Sequence, residues 1–208
     1  MAKNEALYEG IGKGNRKQVI EETQKVVDAG GDLVDLLNHS MIPAMRDIGE
    51  KFSRNEVYVP EMLIAARAMQ AGLDIIEPLL AQEGHKARAT IAIGTVKGDL
   101  HDIGKNLVVM MLKGAGFAVQ DLGVDCSVDK FEEAVTSGAN VICLSALLTT
   151  TMPYMRDVVD HFKGRNDVKI VIGGAPITQS FADEIGADAF GADANDAVTA
   201  VEKCLNAG

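Results

Sequence analysis

The chain has 208 residues, of which 47% are apolar and 24% are charged, and its formal net charge is -10. This length suits one or two compact domains, and the composition is typical of a globular protein. The excess of acidic side chains repels a phosphate backbone, and with no tryptophan and 4% aromatic residues there is little surface on which bases could stack. We therefore expect no nucleic-acid partner.

The amino-acid composition also indicates where in the cell the protein is expected. No apolar run approaches the roughly 18 residues that span a bilayer, and the N-terminus lacks the apolar core of a secretory signal. The three cysteines contain no C-x-x-C pair, which argues against a disulfide framework and against a cysteine zinc site. We expect a cytoplasmic protein with no membrane partner.

Apolar residues recur every three or four positions through the first 80 or so residues, which predicts helices. The longest stripe begins after Pro60 and a shorter one begins after Pro43; proline suits the first turn of a helix because its missing N–H has no partner there. Two further stripes cover residues 19–26 and 33–37, and the second is expected to end at the polar residues 38–40. The pattern predicts an all-α helical bundle over residues 1–85.

The second part of the chain, residues 86–208, changes to short apolar runs that alternate with helical stretches. The runs lie at 89–93, 117–122, 141–144, 168–172 and 187–190, and the helices lie near 104–114, 128–137, 152–163, 178–186 and 194–205. This alternation predicts an α/β domain with a five-stranded parallel sheet of the flavodoxin or Rossmann-like kind, in the strand order 2-1-3-4-5. The third run would be central and the fifth would lie at an edge.

Polar residues and glycines follow three of the predicted strands. The first strand is followed by residues 94–104, the third by residues 145–151, and the fourth by Gly173 and Gly174. In a doubly wound sheet, ligands bind at the carboxyl ends of the strands, where the strand order reverses. The sequence therefore predicts a binding site at this edge of the sheet.

His101 is the only imidazole in the long loop after the first strand, and Asp99 lies two positions before it. In a loop, an aspartate can accept the second N–H of an imidazole and orient the ring, as it does beside many metal-binding histidines. One histidine cannot hold a bare zinc ion, which takes about four ligands. A metal inside a tetrapyrrole-type ring brings four nitrogens and leaves an axial position for one imidazole. Glycines allow a close approach to such a ligand, although a tight turn at Gly173 and Gly174 and helix capping by Asp102 are alternative roles.

The residues match a family pattern. Asp99-x-His101-x-x-Gly104, then Ser145-x-Leu147, then Gly173-Gly174, resembles the cobalamin-binding signature of corrinoid methyltransferases and cobalamin-dependent mutases. The longer run at 94–106 resembles the methyltransferase branch. The helical part, with its Tyr-Val-Pro-Glu at 58–61, resembles the cap domain of cobalamin-dependent methionine synthase and of the small corrinoid proteins. The resemblance covers nearly the whole chain and implies a helical cap over residues 1–85 and a cobalamin-binding Rossmann-like domain over residues 86–208.

The resemblance also implies roles for single residues. His101 would be the lower axial ligand of cobalt, Asp99 would hydrogen-bond it, and Thr151 would stand where methionine synthase has a serine that extends this relay. Tyr58 would shield the upper face of the corrin; its alternative is an ordinary place in the bundle core. The other cofactor contacts implied are Gly98, Leu100, Asp102, Ile103, Gly104, Ser145, Leu147, Thr149, Gly173, Gly174, Gly191, Ala192 and Asp193.

The implied function is that of a corrinoid methyl carrier whose cofactor is cobalamin or a related corrinoid with its cobalt. Such a protein accepts a methyl group on Co(I) from a substrate-specific methyltransferase and passes it from methyl-Co(III) to a second methyltransferase, whose acceptor is tetrahydrofolate or coenzyme M. A reductive activation protein is a further expected partner. Because the chain has no evident domain for activating a substrate, we expect a component of a methyltransferase system rather than a complete enzyme.

Several alternatives share part of this pattern. The binding subunit of an adenosylcobalamin mutase carries the same D-x-H-x-x-G but does not normally carry the helical cap, and a cobalamin-linked regulator usually adds a DNA-binding domain. A hydrolase triad of Ser145, His101 and Asp99 would lack the glycine-flanked nucleophile elbow. A phosphoacceptor receiver domain would need an aspartate where Ser145 stands.

Overall fold

The computed structural model describes residues 3–84 and 87–206. It divides the chain into two compact units: Met1–Arg88 with Lys113–Gly116, and Ala89–Leu112 with Phe117–Gly208. The predicted boundary between residues 85 and 86 falls on His85 and Lys86, which lie outside the described residues, so it stays a prediction. Within the described part of the chain, no helix has both the length and the apolar character needed to cross a membrane.

The first unit is helical, as the apolar pattern predicts. Its helices are α1 (Glu5–Gly12), α2 (Arg16–Asp28), α3 (Leu33–Leu36), α4 (Ile42–Ser53) and α5 (Val59–Gln82). The side chains of Asn4, Asn15 and Asp32 accept backbone N–H groups at the starts of α1, α2 and α3, which satisfies donors that have no partner inside a helix. The apolar faces of these helices form the interior; the largest completely buried side chains are Leu7, Ile11, Met41, Met45, Met62, Met69 and Ile76.

Two features of this unit differ from the expectation. Helix α1 precedes the first predicted stripe, and it is anchored by only two large apolar residues, Leu7 and Ile11, both completely buried. The predicted interruption at residues 38–40 is wrong, because a π-helical turn at Leu37–Met41 connects α3 to α4. The polar residues are accommodated in this turn: the buried Ser40 hydroxyl accepts the N–H of Asn4 at 2.9 Å, and His39 is exposed.

The second unit is the predicted parallel sheet with helices. The strands are β1 (Thr90–Thr95), β2 (Ala118–Asp121), β3 (Val141–Ser145), β4 (Lys169–Gly173) and β5 (Ala189–Gly191); the helices are α6 (Ile103–Gly114), α7 (Val128–Thr136), α8 (Pro153–Phe162), α9 (Gln179–Ile185) and α10 (Ala194–Asn206). All strand pairs are parallel and the order is β2-β1-β3-β4-β5. The predicted fold class and strand order are thus confirmed, with β3 in the centre and β5 at an edge.

The core of the second unit explains why its strands are continuous apolar runs rather than alternating ones. Residues of β1 and β3 are buried on both faces of the sheet because helices cover both sides. Phe131 on α7 is completely buried and packs in the same apolar cluster as Ile142 and Leu144 of β3 and Met155 of α8. This packing holds the carboxyl ends of the strands, and the loops that leave them, in fixed positions.

Replacing Phe131 by Ala tests this packing. We expect the free energy of unfolding to fall by about 3–5 kcal/mol, because the change removes a buried aromatic ring and leaves a cavity. Urea unfolding followed by circular dichroism measures it. The matched control is Lys130→Ala, an exposed neighbour on the same helix, for which we expect a change within about 0.5 kcal/mol. Equal losses in the two variants would contradict this account of the core.

Candidate functional site

Four strand ends form a row across the sheet. Thr95 at the end of β1 pairs with Ser145 of β3, Ser145 pairs with Gly173 of β4, and Gly173 pairs with Gly191 of β5. Because the strands are parallel, the loops that follow these four residues all leave from one edge of the sheet. The structure thus brings together the polar and glycine-rich stretches that follow the first, third and fourth strands. The strand order reverses between β1 and β3, and the loop that carries His101 leaves there.

The centre of this edge is the carboxylate of Asp99, which is completely buried. Its Oδ1 accepts hydrogen bonds from His101 Nδ1 at 2.7 Å and from the His101 backbone N–H at 3.1 Å. Its Oδ2 accepts the backbone N–H groups of Leu147 at 2.8 Å and Leu148 at 3.2 Å, and the Thr151 hydroxyl at 2.8 Å. One side chain from the loop after β1 therefore joins that loop to the loop after β3.

The environment of Asp99 determines its charge. Burial by itself raises the pKa of this carboxyl, but the hydrogen bonds from Leu147, from the ring and backbone of His101, and from Thr151 outweigh burial and hold the pKa well below its usual range. Asp99 is therefore a carboxylate at neutral pH, and a carboxylate only accepts hydrogen bonds.

The charge on Asp99 in turn fixes the tautomer of His101. Since Asp99 can only accept, Nδ1 of His101 carries the hydrogen of the 2.7 Å bond, and the neutral ring keeps its lone pair on Nε2. The side chain of His101 is half exposed, while that of its partner is buried. The hydroxyl of Thr95 donates to the carbonyl oxygen of His101 at 2.8 Å and fixes its backbone. The result is an oriented imidazole that presents a lone pair at the surface of the unit.

The surface around this imidazole is unusually apolar. Leu100 and Ile103 are 71% and 82% exposed, and Leu147 and Leu148, from the second loop, are also exposed. A Cβ atom on Gly104 would meet nothing within 4 Å, so the start of α6 is open on that side. Within residues 3–84 and 87–206, no group of three or more His, Cys, Asp or Glu could hold a metal ion. One free imidazole nitrogen within an exposed apolar surface fits a metal enclosed in a flat macrocycle and does not fit a bare ion.

Other predicted residues of this edge have the following places. Gly98 has a φ of +82°, a conformation that favours glycine, and lies between Val96 and Asp99 in the loop after β1. The carboxylate of Asp102 accepts the side-chain amide of Asn106 at 3.1 Å within the first turn of α6. Ser145 is half-buried at its strand end and Thr149 is exposed. Their contacts with a cofactor stay predictions.

The glycines of β4 and β5 have structural roles of their own. Gly174 has a φ of +135°, and a Cβ on it would lie 1.9 Å from the carbonyl oxygen of Ala146, so no other residue fits there. Gly173 faces the carbonyl oxygen of Gly191, which a Cβ would approach to 3.0 Å. A Cβ on Gly191 would meet the backbone of Ala197 at 2.7 Å, so this glycine lets α10 pack against β5.

The residues after β5 organise the start of α10. Oδ1 of Asp193 accepts the N–H groups of Asn195 at 2.9 Å and Asp196 at 2.8 Å, and Ala192 donates its N–H to Asp196 at 3.0 Å. Asp193 thus caps the helix. Contacts of these residues with a nucleotide base stay predictions.

Tyr58 belongs to the first unit, where it immediately precedes α5. Glu61 accepts its backbone N–H at 3.0 Å, and 63% of the residue is exposed. The alternative that Tyr58 is a bundle-core residue is therefore wrong, and its place above a corrin stays a prediction.

Sequence reasoning missed Leu148 and Thr95. Leu148 acts through its backbone N–H, for which the identity of the side chain carries no signal. Thr95 is the last residue of a buried strand and is itself completely buried. A buried hydroxyl needs a hydrogen-bond partner, so a threonine at the end of a buried strand predicts a hydrogen bond to the loop that follows.

Comparisons with known proteins agree with this geometry. Two family models, both described as a B12 binding domain, match residues 89–202 and residues 4–77. The chain is 41% identical over 192 residues to the trimethylamine corrinoid protein of Methanosarcina barkeri, a match that covers 89% of this chain and 88% of the relative.

Solved structures are similar as well. A chain in the crystal structure of the methanol:cobalamin methyltransferase complex MtaBC from Methanosarcina barkeri matches with a TM-score of 0.85 at 25% identity, covering 98% of this chain and 79% of that one. A cobalamin-binding protein from Desulfitobacterium hafniense DCB-2 matches with a TM-score of 0.81 at 30% identity, covering 98% and 99%.

The lowered pKa of Asp99 predicts a pH dependence of stability. A carboxyl whose pKa is lower in the folded state stabilises the fold fully above its unfolded pKa of about 3.9, and this contribution is lost as the pH falls through the folded-state value. Asp99→Asn has no such proton equilibrium. We therefore expect the variant to be less stable than the wild type at pH 7, with a difference that narrows below about pH 4. Urea unfolding between pH 3 and pH 7 measures it, and a difference independent of pH would contradict the assignment.

Proposed function

The chain belongs to the family of B12-binding corrinoid proteins, and on this premise we propose that it carries methyl groups between two methyltransferases. The predicted cofactor, cobalamin or a related corrinoid, is confirmed by the family matches. One observation supports the proposal above the others: a buried carboxylate holds the Nδ1 hydrogen of a half-exposed histidine, so that Nε2 is available to a metal. His101 would then hold the metal of the corrinoid, and Asp99 would orient its ring.

When bound, the corrinoid supplies a cobalt centre that can accept and release a methyl group. The imidazole of His101 would hold this group through Nε2. The fixed negative charge of Asp99, 2.7 Å from Nδ1, would hold the ring in this orientation. The Asp99 carboxylate remains charged throughout because its pKa is held low.

Thr151 is the third member of this proposed relay. Its hydroxyl oxygen lies 2.8 Å from Asp99 Oδ2 and 2.9 Å from the carbonyl oxygen of Leu148. A hydroxyl has one hydrogen, so it donates to one of these two acceptors at a time. Rotation of this hydroxyl would adjust the hydrogen bonding of Asp99 without moving the backbone, which is how a threonine can fill the place of a serine here.

The exposed apolar side chains would bind the flat face of the macrocycle by removing surface from water. Leu100 lies on the loop after β1 and Ile103 at the start of α6, while Leu147 and Leu148 lie on the loop after β3. Exposed apolar side chains from both segments would therefore contact the macrocycle around His101. A cofactor held on this surface would exclude water from the side on which the imidazole coordinates.

We propose methylated amines as the class of methyl donor. The relative that covers 89% of the chain at 41% identity is named for trimethylamine, whereas the methanol system is matched at 25% identity. The partners would be an amine:corrinoid methyltransferase, a second methyltransferase that passes the methyl group to tetrahydrofolate or coenzyme M, and a reductive activation protein. These relatives favour the carrier over a mutase subunit or a regulator. The chain would act as a component of that system rather than as a complete enzyme.

Methyl loading tests the proposed function directly. The purified chain, reconstituted with hydroxocobalamin and reduced with titanium(III) citrate, is incubated with trimethylamine, dimethylamine or methanol and the corresponding methyltransferase. We expect the amines to convert the reduced spectrum to that of the methylated cofactor, and tetrahydrofolate or coenzyme M with its methyltransferase to reverse the change. A chain that binds the cofactor but is methylated by none of these donors would contradict the carrier role.

His101→Ala tests the axial ligand separately. We expect the variant to bind hydroxocobalamin but to show the visible spectrum of a cofactor without an imidazole ligand, because the only free ring nitrogen of the site is gone. The matched control is His161→Ala in the same unit; His161 is similarly exposed at 43% but pairs with Glu132. We expect it to keep the wild-type spectrum. Identical spectra for His101→Ala and the wild type would exclude ligation by this residue.

A further inference from the structure

The loop that follows β2 runs beside the loop that carries His101. Thr95 donates its N–H to the carbonyl oxygen of Gly123 at 3.0 Å and accepts the N–H of Cys126 at 2.9 Å. Val96 and Cys126 form an isolated parallel bridge just beyond the ends of the two strands. Residues 123–126 therefore continue the parallel pairing with the chain beyond the end of β2. They run alongside Thr95 and Val96, up to the start of the loop that carries Asp99 and His101.

Asp125 makes two hydrogen bonds from the loop after β2 to the loop after β1. Its backbone N–H donates to the carbonyl oxygen of Asp99 at 3.1 Å, and its Oδ1 accepts the N–H of Gly98 at 2.7 Å. One residue thus binds the polar groups at both ends of the Gly98–Asp99 pair. The carboxylate of Asp99 and the ring of His101 are carried by this short stretch of backbone.

Asp125 makes these bonds from an unfavourable backbone conformation. Its φ is +52°, in the left-handed region where a glycine would lie without penalty. A glycine, however, has no oxygen to accept the N–H of Gly98. A strained residue whose side chain is used in this way points to a positional requirement in the neighbouring loop.

The segment that follows His101 also contacts the loop after β2. Lys105, in the first turn of α6, is 2% exposed, and its Nζ donates to Asp121 Oδ1 at 2.5 Å and to Asn106 Oδ1 at 2.7 Å. Asp121 also accepts the N–H of Gly123 at 2.9 Å. His101 lies between the two attachment points, Gly98–Asp99 on one side and Lys105 on the other.

We propose that Asp125 is a positioning residue, which fixes the Gly98–Asp99 backbone and so sets the direction in which His101 presents Nε2 to the corrinoid. The inference rests on the proposed ligation by His101. Asp125 acts through the backbone of its neighbours, and so it changes how fully the imidazole coordinates rather than whether the cofactor binds.

Two substitutions separate the acceptor oxygen from the backbone conformation. Asp125→Gly relieves the strain and removes the acceptor, while Asp125→Asn keeps a side-chain oxygen and tolerates a positive φ. Each full-length variant is loaded with cobalamin and reduced to Co(II), and the electron paramagnetic resonance spectrum is recorded. The histidines are labelled with 15N, so that doublet splitting of the cobalt lines reports the fraction of molecules in which the imidazole, and not the cofactor's own benzimidazole nitrogen, is bound.

We expect Asp125→Gly to lower the ratio of imidazole-bound to imidazole-free cofactor about three- to tenfold, which corresponds to the loss of one hydrogen bond of typical net strength. Asp125→Asn should restore the ratio to near the wild-type value. The matched control is Asn55→Gly, the same kind of change at the other non-glycine residue of the described chain with positive φ, at +60° in the first unit. We expect it to leave the ratio unchanged.

Amide hydrogen exchange of the full chain without cofactor gives a second readout. We expect faster exchange at Gly98 and His101 in Asp125→Gly but not in Asp125→Asn. Wild-type exchange at these amides together with a wild-type nitrogen splitting in Asp125→Gly would overturn this inference and leave His101 ligation intact. Equal losses in Asp125→Gly and Asp125→Asn would also overturn it, because the acceptor oxygen would then be irrelevant. A wild-type protein without nitrogen splitting would instead remove the ligation on which the inference rests.

Discussion

The buried carboxylate of Asp99 is the interaction on which the rest of the site depends. A charge withdrawn from water is costly unless it is fully hydrogen-bonded, and Asp99 meets this condition with five hydrogen bonds from four residues. Three of these come from the loop after β3, namely the N–H groups of Leu147 and Leu148 and the hydroxyl of Thr151. The same carboxylate therefore closes two loops on each other and chooses the tautomer of His101. Structural and chemical roles cannot be separated at this residue.

The sheet makes this arrangement possible. Strands β1 and β3 are not consecutive, yet they are neighbours, so residues 48 to 52 positions apart in the chain are brought within hydrogen-bond distance of Asp99. Thr95 and Ser145 are paired in register, which brings the two loops out of the sheet side by side. The site is accordingly a property of the topology, and the loops add the particular donors and acceptors. Buried packing at Phe131 and Met155 supports this edge from below the loops.

Much of this was predictable because it depends on side-chain patterns. Continuous apolar runs separated by helical periods determine a parallel sheet, and the two-residue spacing of Asp99 and His101 identifies the oriented imidazole. Helix α1 was not predicted, because two buried apolar residues, Leu7 and Ile11, are too few to show a helical period. The π-helical turn escaped because residues 38–40 look like a helix end. The hydrogen bonds of the Leu148 N–H and of Asp125 were not predicted for a different reason. They depend on where the backbone lies, which the sequence of one loop does not determine.

The low pKa of Asp99 determines how Asp99 and His101 share their hydrogen bond. Because its pKa is held well below the usual range, the Asp99 carboxyl is ionised at neutral pH and only accepts hydrogen bonds. The ring of His101 is therefore held at Nδ1 and presents Nε2 at the surface of the unit. Because the charge beside it is constant, the affinity of His101 for a metal would vary only with the state of the metal and with the angle of the ring. Thr95 holds the carbonyl of His101 and Asp125 holds the Gly98–Asp99 backbone, so both residues would act on that angle if Asp125 is the positioning residue that we propose.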